Sequence, residues 1–329
     1  MSIRKIEIAN QCELHQLRPI IKDEWLRLQD TPNVFRFKLN IQKTKILPGK
    51  FNFIVELNSE RATLRRAPQS ASSVTPAFKE TAFNFNKVNP QEILFEYKHP
   101  CIEALVTCMV NASPLTKFHT LICPDLKDNK PQILTTEAIT VALDLLGDFD
   151  DENFWIGFNS PGALASVNHL HLHLFYKEGD LMADKINVQH LVHNVFVSNE
   201  PSKRYYVNVH DWHLKHESVK SIRKIVAYFC EQNIPHNVVF TYKAMGSRTV
   251  VITYIYPRSQ VNTVKDYTNI NIACCELAGF VNAGCEKTYN EITEEILLEN
   301  IKNQMGEIPD LDDKIVDLFC DSEASPSFT

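Results

Sequence analysis

Three histidines, His169, His171 and His173, alternate with Leu170, Leu172 and Leu174 just after a loop of small residues. Strict alternation is a strand pattern in which side chains two apart share a face. The spacing predicts a row of imidazoles on one face and leucines in a core on the other. Three chemistries suit such a row: a metal site, plain decoration of a half-exposed strand, or work on phosphate. Zinc needs ligand nitrogens at about 2.0–2.1 Å, whereas the outer two histidines lie roughly 13 Å apart along an extended chain. No Cys-x-x-Cys or His-x-x-Glu-His accompanies them, so no metal is expected. An extended row matches an extended ligand such as a nucleoside diphosphate. A neutral central imidazole, His171, can attack phosphorus while His169 and His173 donate hydrogen bonds to phosphate oxygens.

The residues upstream suit that ligand. Gly162, Ala163 and Ala165 let backbone approach a phosphate, and Ser166 offers a hydroxyl shortly before His169. Asn159 ends the apolar segment Phe154-Trp-Ile-Gly-Phe158, where its amide can reach a ribose or a phosphate.

The elements that position these residues are legible as a block. Residues 102–110 read as a buried strand, Asn111-Ala-Ser-Pro114 as a turn and 119–124 as the next strand. Thr135 is placed to cap a helix with Glu137 in its first turn, and Ile139, Ala142, Leu143 and Leu146 recur at helical spacing. Gly147 marks the expected helix end. The Trp155 strand and the histidine strand follow. Two strands, a helix and two more strands imply an α+β fold of antiparallel sheets with packed helices.

Upstream, Trp25 falls in a short predicted helix and 51–57 in a strand. Residues 59–81, with Arg61, Arg65, Arg66 and Pro68, predict an extended surface loop. Its arginines are either an anion clamp or a solvated face. After Lys177 the chain reads as polar and irregular to about residue 217, with His210, His213 and His216 at the surface. A helix over 219–232, paired strands at 237–242 and 249–256, and helices over 272–279 and 292–301 then echo the first block. This second unit carries no histidine row. The chain is therefore expected to divide into two related halves, 1–195 with the catalytic strand and 196–329 degenerate. His236 and Arg258 are the second half's candidates for reaching a ligand.

The quoted residues resemble the histidine-triad superfamily of nucleotide hydrolases and transferases. The resemblance is closer to one branch, the GDP-D-glucose and GDP-L-galactose phosphorylases. It extends to Phe51-Asn-Phe-Ile-Val-Glu-Leu-Asn58 with Arg65-Arg66, Phe83-Asn-Phe-Asn-Lys-Val88, Asn111-Ala-Ser-Pro114 with His119, Ile234-Pro-His-Asn237 and Cys275-Glu-Leu-Ala-Gly279. It implies a histidine-triad-like fold and transfer of a guanylyl group from a GDP-hexose, through covalent His171, to inorganic phosphate. His169, His173 and Ser166 would assist, with Asn159, Gly162, His119, Arg65 and Arg66 binding substrate. Alternatives are a hydrolase of the same type releasing GMP and a non-catalytic guanine-nucleotide-binding protein. His173 is glutamine in the plant branch, which sides this chain with the animal enzymes and GDP-glucose. Phe118 and Phe280 depart from the family, which commonly has glycine and histidine there.

Composition narrows the classes further. A net charge of −6 argues against nonspecific binding to nucleic acid, so a phosphate site must be locally positive. No apolar run approaches the ~18 residues of a spanning helix, and the first residues lack a signal-peptide core. Nine cysteines, mostly in apolar segments, read as reduced buried thiols of a cytoplasmic protein. No cofactor is expected. The expected partners are the small-molecule substrates, not nucleic acid or membrane, and the oligomeric state is not legible.

Overall fold

The central strands are apolar on both faces, so the sheet they build must be covered twice. The computed structural model describes residues 3–64, 69, 71–179, 181–185, 187–209, 211–245, 248–261 and 270–320. Its strands are β1 (Lys5–Ile6), β2 (Lys43–Ile46), β3 (Ile54–Leu57), β4 (Ile93–Lys98), β5 (Leu105–Val110), β6 (Thr120–Pro124) and β7 (Phe154–Asn159). They continue as β8 (Leu172–Tyr176), β9 (Gln189–Val192), β10 (Val195–Ser198), β11 (Arg204–Val209), β12 (His236–Met245), β13 (Arg248–Pro257) and β14 (Phe280–Ala283). The helices are α1 (Leu17–Leu28), α2 (Ser59–Leu64), α3 (Thr136–Phe149), α4 (Lys215–Glu231), α5 (Cys274–Ala278), α6 (Glu286–Glu291), α7 (Glu294–Met305) and α8 (Leu311–Cys320).

One sheet runs β1-β4-β5-β6-β8-β7-β12-β13-β11-β10-β9, and a smaller one runs β14-β3-β2. The large sheet is antiparallel apart from its β1 edge, and the two halves of the chain meet where β7 pairs β12, Asn159 opposite Asn237. The hairpin β9–β10 forms the far edge beside β11, so the boundary drawn at 195/196 runs through it.

Side-chain alternation sorts the two faces. Phe154, Ile156 and Phe158 of β7 and Leu172 and Leu174 of β8 pack under α1, α3, α4 and α8. Trp155, Phe175, Val239, Tyr254 and Tyr256 face the other way, under the smaller sheet, α5 and α7. Burying each of Leu172 and Leu174 contributes about 1.5–3 kcal/mol. A one-residue slip of β8 would exchange them for histidines, so the register is strongly held.

Several local expectations are corrected. The histidine strand begins only at Leu172: His171 N–H bonds to the side chain of Gln132 and Leu170 N–H to Lys130 O, which displaces the ladder upstream. Residues 59–64 form α2 rather than loop, because buried Asn58 caps it by accepting the Arg61 N–H at 3.2 Å. Gly147 lies inside α3, where a Cβ would stand 2.2 Å from the Trp212 ring, and the helix runs on to Phe149 with Asp150 left-handed. The stretch taken as irregular holds β9, β10 and β11, since Tyr205, Val207 and Val209 alternate into the core. All nine cysteines are free, but Cys12, Cys101, Cys285 and Cys320 are exposed. His213 and His216 flank the start of α4, His216 bonded to Glu217 at the surface; His210 lies outside the described residues. No described helix is long and apolar enough to cross a membrane.

Candidate active site

The histidine row opens onto a cavity on the face opposite α1, α3, α4 and α8. His171 is 3% exposed and lines it. Its Nδ1 lies 2.7 Å from His169 O and 2.9 Å from Gln132 Oε1. Two carbonyl acceptors at one nitrogen place the ring proton on Nδ1 and the lone pair of the neutral ring on Nε2. Gln132 is itself fully buried. Its Oε1 accepts the His171 N–H at 2.9 Å and its Nε2 donates to His171 O and Asn159 O, both at 3.1 Å. One side chain thus stitches the His171 backbone to the end of β7.

The outer histidines differ in what they do. His169 Nδ1 accepts the Phe85 N–H at 3.1 Å and its Nε2–H donates to Leu126 O at 3.0 Å. Both ring nitrogens are spent on backbone and the ring is not part of the cavity wall, so His169 supports Phe85 and lends its carbonyl to His171. His173 does line the cavity. Its Nδ1 lies 3.1 Å from Nε2 of buried His119, whose own Nδ1 accepts the Leu115 N–H at 3.1 Å. His119 therefore carries its proton on Nε2 and donates it to His173. Burial, reinforced by Arg61 and His171, holds the pKa of His119 well below the usual histidine value.

The cavity has two unlike ends. Phe83, Phe85, Val88, Met109, Leu121 and Val167 make one apolar, and the Phe85 ring centre lies 4.9 Å from that of His171. Arg36, Arg61, Asn111, Ser113, Asn271 and Asn282 line the polar remainder, and Arg61 donates to Ser113 O. Ser166 and Asn159 are in the wall. The Asn159 Oδ1 already accepts from Asn237 Nδ2 at 2.6 Å and Cys274 N at 3.0 Å, so its Nδ2–H₂ is what it can offer a ligand. Gly162 is absent from the wall. At φ +78° it makes a tight turn against Val261 and Pro235, where only glycine is unstrained. Arg65 and Arg66 lie outside the described residues.

His236 and Arg258 do not line the cavity. Arg258 is buried, donates from Nε to Asn237 Oδ1 at 3.0 Å and also bonds Ile272 O, so it braces Asn237 behind Asn159. Neither departure from the family faces the ligand space. Phe118 adopts φ +59°, a left-handed geometry natural to glycine, and packs beside Trp25 and Tyr176. Phe280 is buried in β14 beneath Lys177. Gln132, Phe85, Arg36 and Arg61 carry the site's geometry. Only Phe85 and Arg61 fell in stretches quoted above, and Gln132 left no signal beyond its place after Pro131.

Buried histidines make stability depend on pH. Burial pushes His236 down to about 4 from an ordinary 6.5 and lowers His119 and His169 as well. With folded-state values below the unfolded ones, the unfolded chain binds more protons in acid. The stabilisation is complete above about pH 6.5 and is lost as pH falls toward 4, by about 3 kcal/mol for His236 alone. The melting temperature is expected to be flat from pH 7 to 8 and to drop steadily below pH 6.5. His236→Asn should shrink that drop, and an unchanged pH profile in the variant would contradict the assignment.

Models of two domains match the chain: "GDPGP1-like, N-terminal domain" over residues 16–175 and "GDPGP1-like, C-terminal domain" over 201–305. GDP-D-glucose phosphorylase 1 of Danio rerio is 31% identical over 87% of this chain and 85% of its own. The human protein of that name is 30% identical over 79% and 72%. GDP-L-galactose phosphorylase 2 of Arabidopsis thaliana is 27% identical over 80% and 66%. Among solved structures, yeast Ap4A phosphorylase Apa2 with AMP is similar at a TM-score of 0.60, covering 89% of this chain and 98% of that one. At 14% identity that likeness speaks for the fold alone, the histidine-triad-like α+β arrangement expected from the sequence. Matched by its domain models on both sides of the β7–β12 seam, the chain belongs to the GDPGP1-like family.

Proposed function

We propose that the protein is a GDP-D-glucose phosphorylase, converting GDP-glucose and inorganic phosphate to GDP and glucose 1-phosphate. The observation that carries this reading, together with the relatives' names, is the pairing of His171 Nδ1 with two carbonyl oxygens, which makes Nε2 a nucleophile. Nε2 attacks the α-phosphorus, the bond from that phosphorus to the bridging oxygen breaks, and glucose 1-phosphate leaves as a stable anion. A phosphate oxygen then attacks the guanylyl-histidine, the phosphorus–nitrogen bond breaks, and GDP departs with His171 restored. Covalent catalysis of this kind splits one difficult displacement into two easier ones.

The unlike ends of the cavity orient the substrate. The nucleoside lies against Phe83, Phe85 and Met109, the α-phosphate at His171, and the β-phosphate and hexose toward His173, Arg36 and Arg61. Ser166 hydrogen-bonds the α-phosphate or the leaving oxygen, and His173 polarises a phosphate oxygen. Arg36 and Arg61 supply the local positive charge that a protein of net charge −6 needs for a doubly anionic ligand. The free state of all nine cysteines supports a reducing, cytoplasmic setting.

GDP-glucose incubated with and without phosphate tests the proposal. GDP and glucose 1-phosphate are expected only when phosphate is present. Release of GMP in place of GDP would make the protein a hydrolase, and saturable GDP binding without turnover would make it a binding protein.

A further inference from the structure

Asn159 keeps only its NH₂ group for the cavity, and residues beyond the β7–β12 seam decide that. Its Oδ1 is taken by two donors, Asn237 Nδ2 at 2.6 Å and the Cys274 N–H at 3.0 Å. Among the described residues nothing accepts from its Nδ2, and Asn159 is in the cavity wall.

The two ends of an amide are told apart only by their partners, and here the partners leave no choice. Arg258 Nε–H can only donate, so the Asn237 atom 3.0 Å from it is the oxygen. Ala163 O can only accept, so the Asn237 atom 2.9 Å from it is the nitrogen. That nitrogen also reaches Asn159, whose facing atom is therefore its oxygen, as the Cys274 N–H independently requires.

Donation thus runs one way, from Arg258 to Asn237, from Asn237 to Asn159, and from Asn159 into the cavity. Arg258 and Asn237 are both fully buried, and Asn237 on β12 stands opposite Asn159 on β7. Arg258 is anchored by its own N–H to Pro235 O at 2.8 Å and by a second guanidinium bond to Ile272 O. Bonds in such a chain polarise one another, so the guanidinium at its head strengthens the last donor without placing a cation in the cavity. On the other side, Gln132 holds Asn159 O together with the backbone of His171.

We propose that Asn237 and Arg258 are positioning residues that fix the Asn159 amide as a hydrogen-bond donor to an oxygen of the bound nucleotide. The part of the chain without a histidine row thereby takes a share in ligand binding. The proposal rests on the nucleotide reading of the cavity given above.

A double-mutant cycle tests it, read as GMP affinity by calorimetry and as kcat/KM for GDP-glucose. In Asn237→Asp the acceptor for Arg258 stays, while an oxygen replaces the nitrogen that faced Asn159 Oδ1. Repulsion turns the Asn159 amide over, oxygen toward the ligand, and GMP affinity should fall about 10- to 150-fold. Asn159→Ala should lose a comparable amount. In the Asn159→Ala background, Asn237→Asp should then cost less than about twofold, because no amide is left for it to act through. Arg258→Lys, which keeps the charge, carries the same cycle should Asn237→Asp fail to fold: a few-fold loss alone, and none beside Asn159→Ala. A purely structural role would lower the melting temperature and multiply the losses, and multiplied losses would overturn the proposal, as would unchanged affinity in Asn237→Asp. If the wild-type protein bound no GMP, the nucleotide reading would fall and this proposal with it. GMP binding without coupling would overturn this proposal alone, whether or not GDP-glucose is turned over.

Discussion

His171→Ala is expected to lose about 10⁴-fold or more in kcat, the scale seen when a nucleophile is removed from a covalent mechanism. Nothing nearby can replace its Nε2. His169 has both ring nitrogens bonded to backbone, and His173 is paired with His119. Wild-type enzyme given GDP-glucose without phosphate should accumulate a phosphoramidate, labile to acid and stable to mild base, that peptide mapping places on His171. Phosphate should discharge it as GDP with ping-pong kinetics. His173→Ala should cost less, about 2–4 kcal/mol of transition-state stabilisation. His169→Ala should act through Phe85 and the fold, lowering the melting temperature along with the rate. Near wild-type turnover by the His171→Ala protein would end the covalent mechanism. An adduct on His169 or His173 would keep the chemistry and move the nucleophile.

The second large effect is expected at Gln132, far from it in sequence yet bonded to it on three sides. Gln132→Leu has a similar volume but leaves His171 N–H, His171 O and Asn159 O without their buried partner. Each unsatisfied buried group costs about 1–3 kcal/mol, so a loss of several kcal/mol in stability is expected. The imidazole also loses one of its two acceptors, and a fall in kcat of about 10²-fold follows from the misplaced nitrogen. Gln132→Glu separates the two effects: it keeps an acceptor for Nδ1 and the His171 N–H but cannot donate to the two carbonyls. It should therefore recover more of the rate than of the melting temperature. A leucine variant that melts and turns over like wild type would show that Gln132 is incidental to the site.

These two residues mark how far the sequence can be read. Alternation places His171 and His173 on one face and Leu172 and Leu174 in the core because side-chain direction in a strand has a period of two, set by backbone geometry alone. The same local logic locates Thr135 as the cap of α3, which accepts the Ala138 N–H at 3.2 Å. It also locates the β12–β13 pair. It misplaces Gly147 and Ser59–Leu64, where a distant partner decides: the Trp212 ring needs the missing Cβ, and Asn58, held through its N–H to Ala283 O, starts a helix.

What the sequence by itself determined is the alternating histidine row, its neighbours in the loop, and the fold class that displays them. Each depends on residues within a few positions of one another. Only the tertiary structure decided which histidines line the cavity, which nitrogen of His171 holds its proton, and how the apolar and polar walls divide. His169 is turned to the backbone of Phe85 and Leu126, segments 84 and 43 residues away in the chain. The tautomer of His171 depends on His169 O and on Gln132, the latter 39 residues upstream. The cavity takes its apolar wall from 83–121 and Val167, and part of its polar wall from 271–282. Contacts between groups so far apart are set by how sheets and helices stack, and no local periodicity records them.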